Sequence, residues 1–271
     1  MTQEPLDPCT TAAQPMGQLL WEDLQFCLRV LPQRILEVLC EYPGRVFVAG
    51  GFIRSTISGT PVNDIDLIVD DKELAQTVTA FLLEESFEAG VDKGHIWVTD
   101  NAYTVRRWRT AVQVVHRWTY SNPTKMLLSF DFTIASAGLW MRHTEGEQAA
   151  LFGGPADDFQ KRERASHAAL RRQPGWTSMC HPRYYADLAA KRLAYMRPMR
   201  EEEAGGSLLR VVKFLRRGYN IAPDHLAMVM SRVVQEVHPE ALPAWDEAEI
   251  APIITAKLRE VDPLMVEIGE V

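Results

Sequence analysis

The feature that most constrains the fold is a double glycine placed between two strand-like runs. Residues 45–49 are rich in β-branched and aromatic side chains and end at Gly50 and Gly51, and a second strand-like run begins with Asp64 and Asp66. The intervening residues leave room for one short helix. Because side chains alternate across a strand, both aspartates are expected on the same face with their carboxylates close together. This unit predicts an α+β domain with acidic chemistry on its sheet.

The two aspartates suit a divalent cation. Adjacent carboxylates repel each other unless a cation lies between them, and Mg²⁺ is typically held by one or two carboxylates together with substrate phosphates. Gly50 and Gly51 lack Cβ atoms, so their N–H groups can approach phosphate oxygens, and Arg54 can add a charged fork. The alternative is structural: a tight strand-to-helix turn followed by an exposed strand edge. Chance pairing at this spacing is rare, which favours an NTP–Mg²⁺ site.

These residues resemble the signature of a known superfamily. Gly50 to Gly59, followed by Asp64-Ile65-Asp66, is similar to the DNA polymerase β-like nucleotidyltransferases, in the form of the head domain of CCA-adding tRNA nucleotidyltransferases and bacterial poly(A) polymerases. The resemblance implies that head fold, a mixed sheet with flanking helices, followed by a helical neck. It also implies that Asp64 and Asp66 hold Mg²⁺ (or Mn²⁺) ions that activate a 3′-hydroxyl and steady the NTP triphosphate. Ser55 departs from the pattern, which usually has Asp there.

Asp131 is the third candidate catalytic and metal-binding carboxylate. It lies in a run expected to be a strand, residues 127–139, and Asp131-Phe132-Thr133-Ile134 resembles the second motif of the family. The superfamily presents a third metal carboxylate on a neighbouring strand. An Asp between two Phe residues is costly to bury without a partner, which favours a metal or charged partner. A hydrogen-bonded structural Asp remains the alternative.

A helix is predicted near residue 209, resembling the neck helix of the same family. Of the nucleotide-reading motif Glu-Asp-x-x-Arg only Arg210 is retained, and Lys213 follows one turn later. Periodicity places the apolar residues on one face and the basic residues on the opposite one. The predicted packing face holds Leu208, Val211, Val212 and Leu215, and the basic face holds Arg210, Lys213 and Arg217. The predicted nucleotide-binding set is Gly50, Gly51, Arg54, Arg210 and Lys213.

The net charge of −7 would argue against a nucleic-acid partner, but it is an average over regions of opposite charge. Residues 161–217 contain fourteen Lys and Arg against five Asp and Glu, a local charge of +9. A basic segment beside an acidic metal site is what transfer to a nucleic acid requires. The candidate RNA-binding residues are Lys191, Arg192, Arg216 and Arg217. A second cluster, Arg106, Arg107 and Arg109 with Trp108, faces either an acceptor or solvent.

The organisation along the chain follows from these patterns. Residues 1–16 are rich in proline and predict a loose leader, 17–150 the catalytic head, and 151–271 a helical neck and C-terminal domain. Four widely spaced cysteines without a CxxC pattern indicate a reduced, cytoplasmic protein. No run of 18 apolar residues occurs, so no membrane partner is expected. The oligomeric state does not follow from the sequence.

The sequence therefore predicts a template-independent nucleotidyltransferase. It would move NMP from an NTP, ATP and/or CTP, to the 3′ end of an RNA acceptor, tRNA or tRNA-like, releasing pyrophosphate by a two-metal mechanism. One alternative is nucleotidylation of a protein or small molecule, as in toxin-like or resistance enzymes of the superfamily. Another is a non-catalytic RNA-binding descendant, against which the intact Asp-x-Asp pair argues.

Overall fold

The computed structural model describes residues 15–83, 95–117, 120, 122–142, 166–198 and 204–236. Within these residues the first half of the chain forms helices α1 (Trp21–Val30), α2 (Gln33–Glu41), α3 (Gly51–Ile57) and α4 (Lys72–Leu83), and strands β1 (Val46–Ala49), β2 (Asp64–Val69), β3 (His95–Val98), β4 (Ala102–Arg106) and β5 (Ala111–Val115). After these come α5 (Pro123–Leu128), a 3₁₀ turn (Thr133–Ala135), β6 (Ala137–Met141), α6 (His167–Arg172), β7 (Trp176–Cys180), α7 (Tyr184–Ala189), β8 (Arg192–Leu193), α8 (Ala204–Leu215), β9 (Asn220–Ile221) and α9 (Pro223–Glu236).

The described strands form one mixed sheet of seven strands in the order β3-β4-β5-β2-β1-β6-β7. Only the β2–β5 pair is parallel within this sheet, and β3, β4 and β5 form an antiparallel meander. A separate two-stranded sheet joins β8 to β9. The predicted α+β class, a mixed sheet with flanking helices, is confirmed.

The two faces of the sheet have different covers. Val48 and Leu67 pair across β1 and β2 and belong to the larger core, which the N-terminal helices and α4 cover. The opposite face has a smaller core around Phe47, Ile68 and Trp140, covered by α5. Because side chains alternate along β2, Asp64 and Asp66 lie on the α5 side, beyond the edge of that smaller core. The alternation along one strand thus separates core residues from site residues.

The strand predicted over residues 127–139 is wrong except for its last three residues. The chain there ends helix α5, passes Asp131, makes the 3₁₀ turn and enters the sheet only at Ala137. The helix has clear local causes, since Asn122 caps it by accepting a hydrogen bond from Lys125 N, and Pro123 occupies its first turn. The apolar run was ambiguous because it contains buried residues of a helix, a turn and a strand in succession.

The helical character expected for residues 151–271 also needs correction. Strand β7 pairs with β6 over five residues, so the main sheet draws a strand from beyond residue 150. The predicted boundary near residue 150 itself lies outside the described residues, as do residues 1–14 of the predicted leader and residues 237–271 of the predicted C-terminal domain. Helices α8 and α9 follow, and none of the helices in the described ranges is long and apolar enough to cross a membrane.

The predicted packing face of α8 is partly wrong. Val211 is buried as expected, but Leu215 is 45% exposed, whereas Leu209 and Phe214 are buried. The Phe214 ring packs edge-on against Phe132 from the turn before β6, with centroids 6.1 Å apart. This contact rotates α8 so that its basic residues border the sheet instead of pointing away from it.

Candidate active site

The two aspartates lie at the base of a cleft between β2 and α8. Ala49 pairs with Asp66 across β1 and β2, so the glycine turn that follows Ala49 lies directly beside the acidic pair. A Cβ atom on Gly51 would lie 4.0 Å from Asp64 Oδ1, and one on Gly50 would lie 3.8 Å from Asp66 Oδ2. The predicted juxtaposition of the glycine pair with both carboxylates is therefore present in the structure.

Gly50 is required by backbone geometry. Its φ is +76°, a region that L side chains rarely adopt. A Cβ there would also lie 3.1 Å from the Phe130 ring. The turn places Gly50 N–H on the carbonyl oxygen of Ala137 and starts α3 at Gly51. Glycine thus lets the chain reverse tightly between the sheet and the cleft.

Burial and mutual repulsion disfavour the charged form of both aspartates. The pKa of Asp66 is raised to about 7, first by burial and then by the neighbouring charge of Asp64. Burial also raises the pKa of Asp64, against the opposing effect of Arg54, Arg217 and Lys213. Two carboxylates held close together at the base of a cleft are a set of hard oxygen donors that suits a divalent cation such as Mg²⁺ or Mn²⁺.

Asp131 is buried and forms an ion pair with Arg210 of α8. Its backbone is also fixed, because Met196 N donates to the Asp131 carbonyl oxygen at 2.8 Å. In this arrangement Arg210 neutralises the Asp131 carboxylate. Within the described residues, no three His, Cys, Asp or Glu side chains converge as a ready metal cluster. Asp131 as a third metal ligand stays a prediction.

The cleft has a volume of about 490 Å³ and a basic wall. Helix α8 supplies Arg210, Lys213 and the ring of Phe214 to it, and the turn after α8 supplies Arg217. Opposite them, the sheet supplies the aspartates. The lining includes Gly51, Arg54, Asn63, Asp64, Asp66, Asn101, Gln113, Tyr120, Phe130, Asp131, Arg210, Lys213, Phe214 and Arg217. The nucleotide-binding candidates Gly51, Arg54, Arg210 and Lys213 all border this space.

Arg54 is held by aromatic packing at the edge of the cleft. Its guanidinium carbon lies 4.7 Å from the centroid of the Phe214 ring, and burial lowers its pKa. A buried guanidinium on an aromatic face is a rigid positive charge near both aspartates. Arg54 therefore joins the head to α8 as well as bordering the nucleotide space.

The four candidate RNA-binding residues lie in four different environments. Arg217 lines the cleft, and Arg216 is exposed outside it. Arg192 forms an ion pair with Asp187, a carboxylate with no exposed surface, through Nε to Oδ1 at 2.7 Å. Lys191 lies in the turn between α7 and β8 with φ of +47°. The structure brings Arg217, but not Arg192, to the acidic pair.

Some cleft residues were absent from the sequence prediction. Gln113 pairs with Asp66 across β2 and β5 and lies in the cleft, and a lone polar residue in the run Ala-Val-Gln-Val-Val was the available sign. Phe214 was assigned to neither face of α8. Tyr120 borders the cleft and accepts a hydrogen bond from Ser129 Oγ at 2.7 Å. No sequence pattern pointed to these two aromatic residues.

The sequence of this chain matches a known family. Residues 23–191, more than half of the 271, match the sequence model of the Gabija anti-defense 2 family (Gad2). The chain belongs to the Gabija anti-defense 2 family. The matched range begins in α1, contains the glycine turn, both aspartates and Asp131, and ends before α8. No curated protein matches the chain.

Solved structures similar to this Gabija anti-defense 2 family member include tRNA-processing enzymes. The CCA-adding enzyme of Thermotoga maritima, complexed with tRNA, is 18% identical with a TM-score of 0.49, and the match covers 82% of this chain and 46% of that one. A CCA-adding enzyme with CTP is 17% identical, with a TM-score of 0.47 and coverage of 82% and 46%. A tRNA nucleotidyltransferase with primer tRNA and an ATP analogue is 15% identical, with a TM-score of 0.45 and coverage of 80% and 59%. The chain thus spans about half the length of the first two.

Proposed function

We propose that this chain is a metal-dependent nucleotidyltransferase that moves NMP from an NTP to the 3′ end of an RNA acceptor, with release of pyrophosphate. The single observation that carries the proposal is the pairing of an acidic site with a basic wall across one cleft. Asp64 and Asp66 lie on the sheet side, and Lys213 and Arg217 on the α8 side. A nucleoside triphosphate with its metal ions has the complementary distribution of charge.

The residues present fit the metal. Asp64 and Asp66 would hold Mg²⁺ or Mn²⁺, and Asp131 is the predicted third ligand. When bound, such ions supply Lewis-acid stabilisation of the phosphoryl oxygens and lower the pKa of the attacking hydroxyl. The raised pKa of Asp66 is consistent with two carboxylates that repel each other when both are charged, and a bound cation would neutralise this repulsion.

The remaining groups position the substrate. Lys213 of α8 and Arg217 of the turn after it would neutralise the triphosphate, since both line the cleft. Arg210 has two possible partners, because it pairs with Asp131 and also borders the space for the nucleotide. Phe214 holds Arg54 in place and gives the cleft one aromatic wall. In this arrangement an acceptor hydroxyl near Asp64 and Asp66 attacks the α-phosphate in line with the departing pyrophosphate.

The acceptor class is the less constrained half of the proposal. The similar structures with tRNA are consistent with an RNA 3′ end, and ATP and/or CTP is the expected donor. The family description favours a second candidate. The name Gabija anti-defense 2 places the members of the family against the Gabija defence, and in this candidate the acceptor is a protein or small molecule of that defence. Both candidates use the same cleft and the same donor chemistry.

The test is label transfer with a matched set of acceptors. Purified protein and Mg²⁺ are incubated with each α-labelled NTP and, separately, with tRNA, unstructured RNA or cell lysate. Label in RNA supports the first candidate, and label in protein or small molecules with RNA untouched supports the second. No label in any fraction with any NTP contradicts the transferase proposal.

A further inference from the structure

Among the described residues, no helix covers the sheet face that holds the aspartates between the cleft and strand β3. Asp66 pairs with Gln113, Gln113 with Thr104, and Thr104 with Trp97, so the four residues form one row across the sheet. Directly paired residues project from the same face, which places Trp97 on the cleft side. Three strand spacings put its Cα about 14 Å from that of Asp66.

Trp97 and Arg106 form an exposed stacked pair at the end of this row. The tryptophan is 49% exposed, and the Arg106 guanidinium carbon lies 4.8 Å from its ring centroid. His95, which pairs with Arg106 across the two strands, has its ring 6.1 Å from that of Trp97. The opposite face is different, because Val105 is buried there and Tyr103 packs against the larger core. Trp97 belongs to neither hydrophobic core of the described structure, and a large ring exposed beside basic side chains is typical of a binding surface.

The charge along this surface matches a polyanion. Arg106 lies at the outer end, and Lys213 and Arg217 line the cleft at the inner end. In the β3–β4 turn, Asp100 contributes one exposed carboxylate. Sites for single-stranded nucleic acid combine such a basic path with aromatic rings on which bases stack.

We propose that Trp97 and Arg106 form a stacking site for a base of a single-stranded RNA acceptor, upstream of the 3′ end that enters the cleft. The inference rests on the proposed transferase function and gives it an acceptor path: the 3′ end lies over Asp64 and Asp66, and the preceding nucleotides cross β5 and β4 towards β3. A peptide strand that pairs with β3, the outermost of the described strands, is the competing occupant.

The test measures binding and transfer in the same full-length proteins. Trp97→Ala should weaken binding of a fluorescent 12-nucleotide single-stranded RNA by about 5- to 150-fold, the range for losing one stacked base. Trp97→Phe should recover part of this loss, since it keeps an aromatic face. The matched control is Trp21→Ala, which removes a tryptophan that is 63% exposed on α1, beside Arg171 and Arg172. It should bind RNA as wild type does.

Two further readouts separate this inference from the proposed function. Trp97→Ala should keep its melting temperature and its affinity for a fluorescent NTP analogue within two-fold, which excludes a folding defect or damage to the donor site. Equal RNA binding by wild type, Trp97→Ala and Trp21→Ala overturns the stacking site even if label is transferred to RNA. Loss of protein labelling by Trp97→Ala with RNA binding unchanged assigns the surface to a peptide and also overturns it. If wild type neither binds nor labels RNA, the RNA-transfer proposal fails as well.

Discussion

Replacing Asp66 by Asn should stabilise the metal-free protein while removing its activity. The folded protein holds the Asp66 proton up to a pKa of about 7, whereas the ordinary value is 3.8. A carboxyl group whose pKa is raised by folding binds more protons in the folded state than in the unfolded chain, so stability is lost as pH rises from about 4 to about 7. Asn carries no charge to bury and removes this loss.

The magnitude follows from the size of the pKa change. A rise from 3.8 to about 7 corresponds to at most about 4 kcal/mol of lost stability above pH 7. Because Asp66 retains some access to the cleft, water reduces this penalty, and we expect about 1 to 2 kcal/mol at pH 8. For a chain of this size the difference raises the melting temperature by about 2 to 4 °C.

The assay is thermal unfolding in EDTA at pH 5 and pH 8. Asp66→Asn should exceed wild type at pH 8 and approach it at pH 5, where Asp66 of the folded wild type is protonated. Asp100→Asn, which removes an exposed carboxylate in a turn, is the control and should leave the pH dependence unchanged. Mg²⁺ at ten times its dissociation constant should stabilise wild type at pH 8 by about 1.4 kcal/mol and Asp66→Asn by much less. Equal or lower stability of Asp66→Asn at pH 8 would refute the reasoning.

Three further predictions concern other parts of the site. If Asp131 is a metal ligand, Asp131→Asn should raise the Mg²⁺ concentration needed for half-maximal activity at least ten-fold, and Arg210→Ala should leave it unchanged. If Asp131 only positions Arg210, both variants should raise the KM for the NTP to a similar extent. Gly50→Ala should lower the free energy of unfolding, measured in urea, by about 2 to 4 kcal/mol. Gly59→Ala is the control and should lower it by about 1 kcal/mol, because Gly59 also has a positive φ but its Cβ would meet open space. Equal losses would show that the close contact at Gly50 is unimportant. Arg192→Gln should lower stability by about 2 kcal/mol or more, because it leaves a fully buried carboxylate with one ion pair fewer; loss of RNA binding at wild-type stability would contradict this structural role.

The head was largely predictable because its local patterns agree with the fold. Strands β1 and β2, the glycine turn and the proximity of Asp64 and Asp66 follow from β-branched runs, a required positive φ and strand alternation. These features are set by neighbours within about twenty residues. Their geometry therefore needed no knowledge of distant contacts.

The other half of the site depends on contacts between distant segments. The pairing of Asp131 with Arg210 joins residues 79 positions apart, and hydrophobic periodicity contains no information about it. The rotation of α8 about its own axis is likewise set by the packing of Phe214 on Phe132. Arg192 reads as a candidate RNA contact in a basic segment, and only the fold reveals its buried partner, Asp187. Charge counts locate such a segment, whereas packing decides which charges face the cleft.

The most direct test of the central claim is a single-turnover comparison of wild type with Asp64→Asn. Both proteins are mixed with Mg²⁺, α-labelled ATP or CTP and tRNA, and the rate of label incorporation is measured beside the affinity for the RNA. We predict at least a thousand-fold slower transfer by Asp64→Asn, with RNA affinity within about two-fold of wild type. Transfer by Asp64→Asn at a rate close to that of wild type would show that the acidic pair is not the catalytic centre.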